Sequence, residues 1–391
     1  MQQRIGIVLN NVPAYSETFL LNKINGLIER GARVTIFAEK SGHAFPMHWN
    51  VISPFKLPSN GLLRNLFVAA GMMRMALSCS KKSYKFFKLE KIAGRSSKTA
   101  LENLYINGHI IARELDWLHY GFATVAVRRE NVAKAIGARM AVSLRGYDIA
   151  VYPLKNKDCY NLLWSNVDKI HSISDDLVRR AYDLGLPINK RIVKIMPAID
   201  IDKFSVQSRG SKNTELNILT IARLSWIKGL QYALQAMKLL KDKKIPFKYT
   251  IVGDGPEMEC LLFAAHQFGI KEHVVFAGKV KANDVPAYMA SHTVYLQPSL
   301  QEGFCNAALE AQAAGLLTIV TDGGALKENV IDNETGWVIN RRDPLAIATA
   351  IQKVAAMAES ERQWIINNAC QRVRREFAIE KQLSAFEAFY D

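Results

Sequence analysis

Pro298-Ser299-Leu300-Gln301-Glu302-Gly303-Phe304-Cys305-Asn306-Ala307-Ala308-Leu309-Glu310-Ala311 is the most informative stretch of the chain. A strand-like run, Thr293 to Leu296, stops at Pro298. A turn of small residues carries Glu302 and Gly303, and an alanine-rich helix begins near Asn306. Gly303 lets the backbone approach a ligand closely. The helix N-terminus behind it offers N–H groups and the positive end of a dipole, which suit a phosphate or a sugar hydroxyl. Glu302 lies in the turn and Glu310 about one helical turn inside, so both carboxylates can face one small ligand. The plainer alternative is a surface glutamate followed by a helix-capping one.

Downstream, Ala313-Ala314-Gly315-Leu316-Leu317-Thr318-Ile319-Val320-Thr321 reads as a helix end at Gly315 and then a buried strand. Asp322-Gly323-Gly324 is a turn, Leu326 to Val330 starts a helix, and Asn333-Glu334-Thr335-Gly336-Trp337-Val338-Ile339 is a turn and short strand. In these elements and their order the chain resembles the retaining, family 4 glycosyltransferases of the GT-B fold. Their pattern is E-G-F-x-N-x-x-L-E-A, A-x-G, a hydrophobic strand, G-G-x-x-E-x-V and N-x-T-G-W-V. The resemblance implies an α/β architecture of two Rossmann-like, doubly wound domains facing across a cleft. A C-terminal helix crosses back to the first.

Arg223-Leu224-Ser225-Trp226-Ile227-Lys228-Gly229 follows the first strand of the second half. A cation at each end of a strand-to-helix loop can clamp two phosphates; two solvated loop cations are the alternative. The family has R-L-x-x-x-K-G here, so the resemblance assigns Arg223 and Lys228 to the nucleotide diphosphate. It likewise gives Glu310 the ribose hydroxyls, and Glu302 with the backbone of Gly303, Phe304, Cys305 and Asn306 the transferred sugar. Lys279 and Val280 would face the base. A lone histidine after an apolar strand is ordinarily structural. His119-Tyr120-Gly121 nevertheless resembles the family's A-H-F-G turn, which puts His119 beside the donor sugar among the catalytic candidates.

Arg145-Gly146-Tyr147-Asp148 resembles the family's H-G-x-D turn with arginine in place of histidine. Arg145 could bind an acceptor phosphate or carboxylate, or pair with Asp148. Near the N-terminus, Asn10-Asn11-Val12-Pro13 replaces the glycine pair of many relatives, and Ser16-Glu17-Thr18-Phe19 resembles the subset that builds exopolysaccharides and capsules. Asn11, Ser16, Arg145 and Asp148 form the candidate acceptor-binding set. Asp200-Ile201-Asp202 matches a D-x-D metal motif of the other glycosyltransferase fold, but here it resembles the family's N-G-V-D interdomain turn. No metal and no cofactor is expected.

Alternating strands (Ile5–Leu9, Val34–Ala38, Met140–Leu144, Ile192–Ile195) and helices (Ser16–Arg30, Gly121–Gly137) make a parallel sheet in the first half. Polar Ser205 to Asn217 reads as the linker. The second half alternates again from Asn217–Ala222. The expected domains are 1–204 for the acceptor, 205–374 for the nucleotide-sugar, and a returning helix over 375–391.

Of the 391 residues, 49% are hydrophobic, enough for two cores, and no apolar run is long enough to span a bilayer. Arg4 to Leu9 begins a strand at once, so no signal peptide is expected. Cys79, Cys159, Cys260, Cys305 and Cys370 are scattered with no C-x-x-C pair, which argues for reduced thiols in the cytoplasm. The net charge of +15 concentrates between Lys56 and Lys98, where ten Lys/Arg face one acid, Glu90. Interleaved are Leu62, Leu63, Leu66, Phe67, Met72, Met73, Met75, Tyr84, Phe86 and Phe87, with Lys81, Lys85 and Lys88 on one helical side and Lys82 nearby. This suits an anionic membrane surface, the phosphates of a lipid-diphosphate acceptor, or a plain solvated face. No nucleic-acid module is visible.

These readings give a glycosyltransferase with a nucleotide-sugar donor and a lipid-linked glycan acceptor. Such an enzyme would be cytoplasmic and peripheral on the inner face of the cell membrane. A nucleotide-sugar epimerase of the same architecture is an alternative, but it needs no basic acceptor surface. A non-catalytic nucleotide-sugar or lipid-binding protein is another, against which the intact Arg223, Lys228, Glu302 and Glu310 speak.

Overall fold

The computed structural model describes residues 2–13, 18–40, 45–59, 61–204 and 216–391; for residues 18, 62 and 72–78 it describes the backbone only. Ser16 and linker residues 205–215 therefore lie outside the described residues. The chain divides into two compact units, Met1–Ile195 with Leu383–Asp391, and Met196–Gln382.

The first unit is a seven-stranded sheet in the order β3-β2-β1-β4-β5-β6-β7. Its strands are β1 (Arg4–Asn11), β2 (Arg33–Glu39), β3 (Asn50–Ile52), β4 (Trp117–Tyr120), β5 (Arg139–Leu144), β6 (Lys169–Ser172) and β7 (Arg191–Lys194). Every neighbouring pair is parallel, as the expected strand–helix alternation requires. The short β3 escaped the sequence reading because three residues carry no periodicity. The single helix expected over 121–137 is instead two, Ala123–Ala126 and Val132–Ile136. Arg128 breaks it with a left-handed φ of 68°. The carbonyls freed there are taken by side chains: Asn107 donates to Arg128 O at 2.9 Å and Tyr120 to Arg129 O at 2.8 Å.

Helix Gly61–Ile92 breaks its helical geometry at Cys79. Beyond the break Ser83, Phe86 and Glu90 face inward and are buried, while Lys81, Tyr84, Lys85, Lys88 and Lys91 are exposed. Phe86 thus belongs to the core, not to the basic surface. Glu90 is fully buried and accepts from Arg95, Asn103 and Asn131 at 2.6–2.8 Å. The one acid of the basic stretch is neutralised inside, so its charge does not offset the exposed lysines.

The last helix, Ile379–Tyr390, closes the first unit from Leu383 onward. Phe386, Phe389 and Tyr390 join the core of Ile5, Ile7, Ile24, Ile36 and Trp117. Its terminal carbonyls are held by basic and aromatic donors. Trp117 Nε1 reaches Tyr390 O at 2.7 Å, Arg139 donates to the same oxygen at 3.3 Å, and Lys169 Nζ bonds Phe389 O.

The second unit is a six-stranded parallel sheet in the order β10-β9-β8-β11-β12-β13. Its strands are β8 (Leu216–Ile221), β9 (Phe247–Val252), β10 (Val274–Gly278), β11 (Val294–Gln297), β12 (Leu317–Thr321) and β13 (Trp337–Ile339). Successive strand residues point to opposite faces. Ile218, Val294, Leu296 and Ile319 therefore enter one core, and Leu219, Tyr295 and Val320 the other. With both faces covered, the strands read as continuous apolar runs.

Candidate active site

In the second unit β8 lies between β9 and β11. The chain runs outward from β8 to β10 on one side, and from β11 to β13 on the other. The strand order reverses between β8 and β11, and in open parallel sheets ligands bind beyond the strand C-termini at such a point. The loops leaving these ends are bonded to one another. Leu300 N donates to Ile227 O at 2.8 Å, Leu224 N to Asp254 O at 2.9 Å, and Ala325 N to Glu302 O at 3.0 Å. A Cβ on Gly323 would run into the Ser299 carbonyl, and one on Gly229 into that of Pro298, with Gly229 at a φ of +64°. Only glycine permits this approach of backbone to backbone.

Lys228 ends the β8 loop and Glu302 lies in the β11 loop. Lys228 Nζ sits 2.5 Å from Glu302 Oε1. Burial works against the lysine's charge, but the Glu302 carboxylate beside it holds its pKa above the ordinary lysine value. Arg223, at the other end of the β8 loop, is exposed, and its charge is felt at Lys228. Glu302 is 9% exposed, and its Oε1 also accepts from Ser299 at 2.8 Å and Gln297 at 3.3 Å.

Gly303 and Phe304 continue the turn, with the Phe304 ring packed at a tilt against Phe377, 5.9 Å between ring centres. Cys305 is buried, and burial together with the Glu302 charge pushes its thiol up to about 12. Asn306 begins helix Asn306–Ala313. One turn in, burial raises the Glu310 carboxyl from 4.5 to about 7. No hydrogen-bond donor or cation among the described residues reaches its carboxylate. Val280, beyond β10, packs against the same core as Phe304.

The sequence reading missed three polar residues of this site. Asn329 clamps the turn by accepting from Cys305 N at 3.1 Å and donating to Cys305 O at 3.0 Å. Its own carbonyl is held by Gln312 at 3.0 Å and Arg372 at 2.8 Å. Gln297 and Ser299 are the others. The available signal was a glutamine closing an otherwise apolar buried strand, and an asparagine beside Val330 and Ile331.

In the first unit the candidates fare differently. His119 lies within β4, not beyond it, and is 0% exposed. Its Nε2 meets Ser143 Oγ at 2.8 Å, its Nδ1 meets Tyr390 OH at 2.7 Å, and Lys23 Nζ lies 3.3 Å away. Burial and then the Lys23 charge hold its pKa well below the ordinary value, so it is neutral. The expectation that His119 lines a sugar site is corrected: both ring nitrogens are committed to the core under the last helix.

Asp148 is also buried. Its carboxylate accepts from the backbone N–H groups of Ala123, Arg145 and Gly146 at 2.8–3.3 Å, so it fixes the turn and presents no face to an acceptor. The anticipated Arg145–Asp148 pairing runs through the Arg145 backbone, while the guanidinium stacks 4.1 Å from the Phe19 ring and donates to Gly121 O at 3.3 Å. Asn11 is exposed at the end of β1. Asp200, of the D-x-D match, pairs with Lys203 at 3.3 Å.

Residues 202–371 match the family model for glycosyl transferases group 1. The chain is 26% identical over 393 residues to the putative colanic acid biosynthesis glycosyltransferase WcaL of Escherichia coli, covering 96% of each chain. It is 26% identical over 386 residues to the amylovoran biosynthesis glycosyltransferase AmsK of Erwinia amylovora, covering 93% of each. Among solved structures, sucrose-phosphate synthase from Thermosynechococcus elongatus superposes with a TM-score of 0.73 at 17% identity, covering 100% of this chain and 98% of that one. Anabaena HepE in complex with UDP gives 0.72 at 15% identity, covering 99% of both. The epimerase alternative finds no support in these likenesses. The chain is a glycosyltransferase of the GT-B fold, with a group 1 glycosyl transferase region over residues 202–371.

Proposed function

We propose that the chain is a metal-independent, retaining glycosyltransferase of family 4. It moves a hexosyl group from a nucleotide-sugar to a lipid-linked glycan during assembly of a cell-surface polysaccharide. The observation that carries this reading is the Lys228–Glu302 pair at 2.5 Å, set at the strand-order reversal with Arg223 beside it. Arg223 and Lys228 take the diphosphate, and their charge stabilises the negative charge that grows on the leaving group. Glu302 and the turn to Asn306 hold the sugar, Glu310 the ribose, and Val280 borders the base. The acceptor attacks on the face that the diphosphate leaves, and the departing phosphate takes the acceptor's proton. The names of the WcaL and AmsK relatives support a polysaccharide product. Among the described residues no helix is long and apolar enough to cross a membrane. Membrane contact is assigned to the exposed Lys81, Lys85, Lys88 and Lys91 with Leu63, Leu66 and Phe67, on the inner face of the cell membrane.

The test is nucleotide release from UDP-, GDP- and ADP-sugars, with and without a membrane extract containing lipid-linked glycans. Release only with the extract, unchanged by EDTA, is expected. Release without acceptor would point to hydrolysis. Abolition by EDTA with rescue by Mn²⁺ would overturn the cationic clamp and return attention to Asp200 and Asp202.

Glu310 gives a pH prediction. Its folded pKa is raised to about 7, so it gains its charge as pH rises through that value. Ribose hydroxyls donate best to the ionised form. Affinity for the nucleotide-sugar should therefore strengthen by about tenfold from pH 6 to pH 8. A pyrophosphate diester has no proton to lose in that range, so the change reports the protein. The same raised pKa means that folded stability falls as pH rises from 4.5 through about 7. Glu310→Gln should flatten both profiles. Calorimetric titration showing a flat wild-type profile, or the same slope in the variant, would remove Glu310 from the site.

A further inference from the structure

We infer that Gln297 is a positioning residue for Glu302: the buried relay Tyr295–Gln297–Ser299 occupies one carboxylate oxygen of Glu302 and leaves the other for the transferred sugar. This rests on the assignment of Glu302 to the sugar. Tyr295 and Ser299 are 0% exposed and Gln297 is 1% exposed, in a strand whose other side chains are apolar core. A polar side chain persists in such a place only if its hydrogen bonds are satisfied.

The direction of the relay follows from its end. A carboxylate only accepts, so Ser299 Oγ–H must donate to Glu302 Oε1, at 2.8 Å. Ser299 Oγ then accepts from Gln297 Nε2 at 2.8 Å. The second amide proton of Gln297 points to the same Glu302 oxygen at 3.3 Å. The amide oxygen is left facing Tyr295, whose hydroxyl donates to it at 2.6 Å. Tyr295 and Gln297 lie on one face of β11 because they are two residues apart. The relay thus runs from Tyr295 through Gln297 and Ser299 to Glu302, which receives one proton from Ser299 and one from Gln297.

With Lys228 at 2.5 Å, Oε1 receives three donors. No described residue donates to Oε2. Glu302 is held in one rotamer with a single oxygen on offer. The nearest alternatives do not do the work of Gln297 at neutral pH. Asparagine is one methylene short, leucine and methionine donate nothing, and glutamate would set a second carboxylate beside Glu302.

The experiment compares wild type, Gln297→Met and Glu302→Gln. It uses whichever of UDP, GDP and ADP binds the wild-type protein, together with that nucleotide's sugar conjugate. Gln297→Met keeps the side-chain volume. It is expected to lower kcat and nucleotide-sugar affinity by about tenfold, the worth of one well-placed hydrogen bond to a charge. Affinity for the free nucleoside diphosphate should fall by clearly less than nucleotide-sugar affinity, since Arg223 and Lys228 keep their charges and the relay reaches Lys228 only through the Glu302 oxygen that both contact. Unchanged kcat, or parallel loss of diphosphate and nucleotide-sugar affinity, overturns the inference. Glu302→Gln separates the two levels. If it leaves turnover intact, the assignment of Glu302 itself fails. If it lowers turnover while Gln297→Met does not, only the relay fails.

Gln297→Glu covers the case in which the methionine variant misfolds. Protonated, the new acid donates to Ser299 as the amide does; ionised, it repels Glu302. Its turnover relative to wild type should fall as pH rises, and a constant ratio overturns the relay.

Discussion

Arg223→Ala is expected to lower kcat/KM by about a hundredfold or more while leaving the melting temperature unchanged. Arg223 is exposed and has no side-chain partner among the described residues, so its removal breaks nothing in the fold. Its cost falls on the transition state, where the departing diphosphate gains negative charge. Removing one preorganised donor at such a position typically costs about a hundredfold to a thousandfold. Lys228→Ala should match that kinetic loss and also destabilise the protein by about 1–3 kcal/mol, because the buried Glu302 loses its cation. The pair of variants therefore separates charge on the leaving group from support of the fold. Steady-state kinetics and thermal unfolding on both decide it. Wild-type kcat/KM in folded Arg223→Ala and Lys228→Ala proteins would remove the clamp.

The combined variant Lys81→Glu, Lys85→Glu, Lys88→Glu is expected to abolish co-sedimentation with anionic vesicles. Each surface cation near such a membrane contributes about 1 kcal/mol, so losing three weakens binding by about a hundredfold before repulsion is counted. Lys82 is left alone because its ammonium already reaches Arg113 O at 3.0 Å. The three replaced lysines are exposed, and the acid that would have offset them, Glu90, is inside. Donor affinity should not change, since the candidate donor residues belong to the second unit. Raising the salt should mimic the substitution, because screening acts on the same charges. Full sedimentation of the variant, or indifference of the wild-type protein to anionic vesicles at low salt, would leave the helix with a merely solvated face.

The second unit was the more legible half. Its strands are buried on both faces, so they appear as apolar runs between glycine turns, and their order follows from strand–helix alternation. The Arg223, Lys228 and Glu302 positions were visible because each sits in a loop at a strand end marked by glycine or proline, and Glu310 because it lies one turn into the helix that follows. What joins them was not visible. The Lys228–Glu302 pair spans 74 residues, and the Asn329 clamp on Cys305 spans 24. Such contacts depend on how loops close over one another, which no local pattern encodes.

In the first unit the failures share one cause: burial decides a polar residue's role. His119 reads as a loop histidine until its place inside β4 is known. Asp148 reads as a site carboxylate until three backbone amides are seen to claim it. The interrupted helix near Arg128 has no proline to announce it. Its cause is capture of carbonyls by Asn107 and Tyr120 from other elements.

The central claim is that the strand-end loops of the second unit hold a nucleotide diphosphate-sugar through Arg223 and Lys228. It is tested most directly by calorimetric titration of UDP-, GDP- and ADP-sugars into the wild-type protein and the Arg223→Ala/Lys228→Ala double variant, in EDTA. At least one of these is expected to bind the wild type without metal. The double variant should bind it at least about a hundredfold more weakly, the worth of two charge-assisted contacts. Equal affinity in the two proteins, or binding by the wild type only after metal is restored, would contradict it.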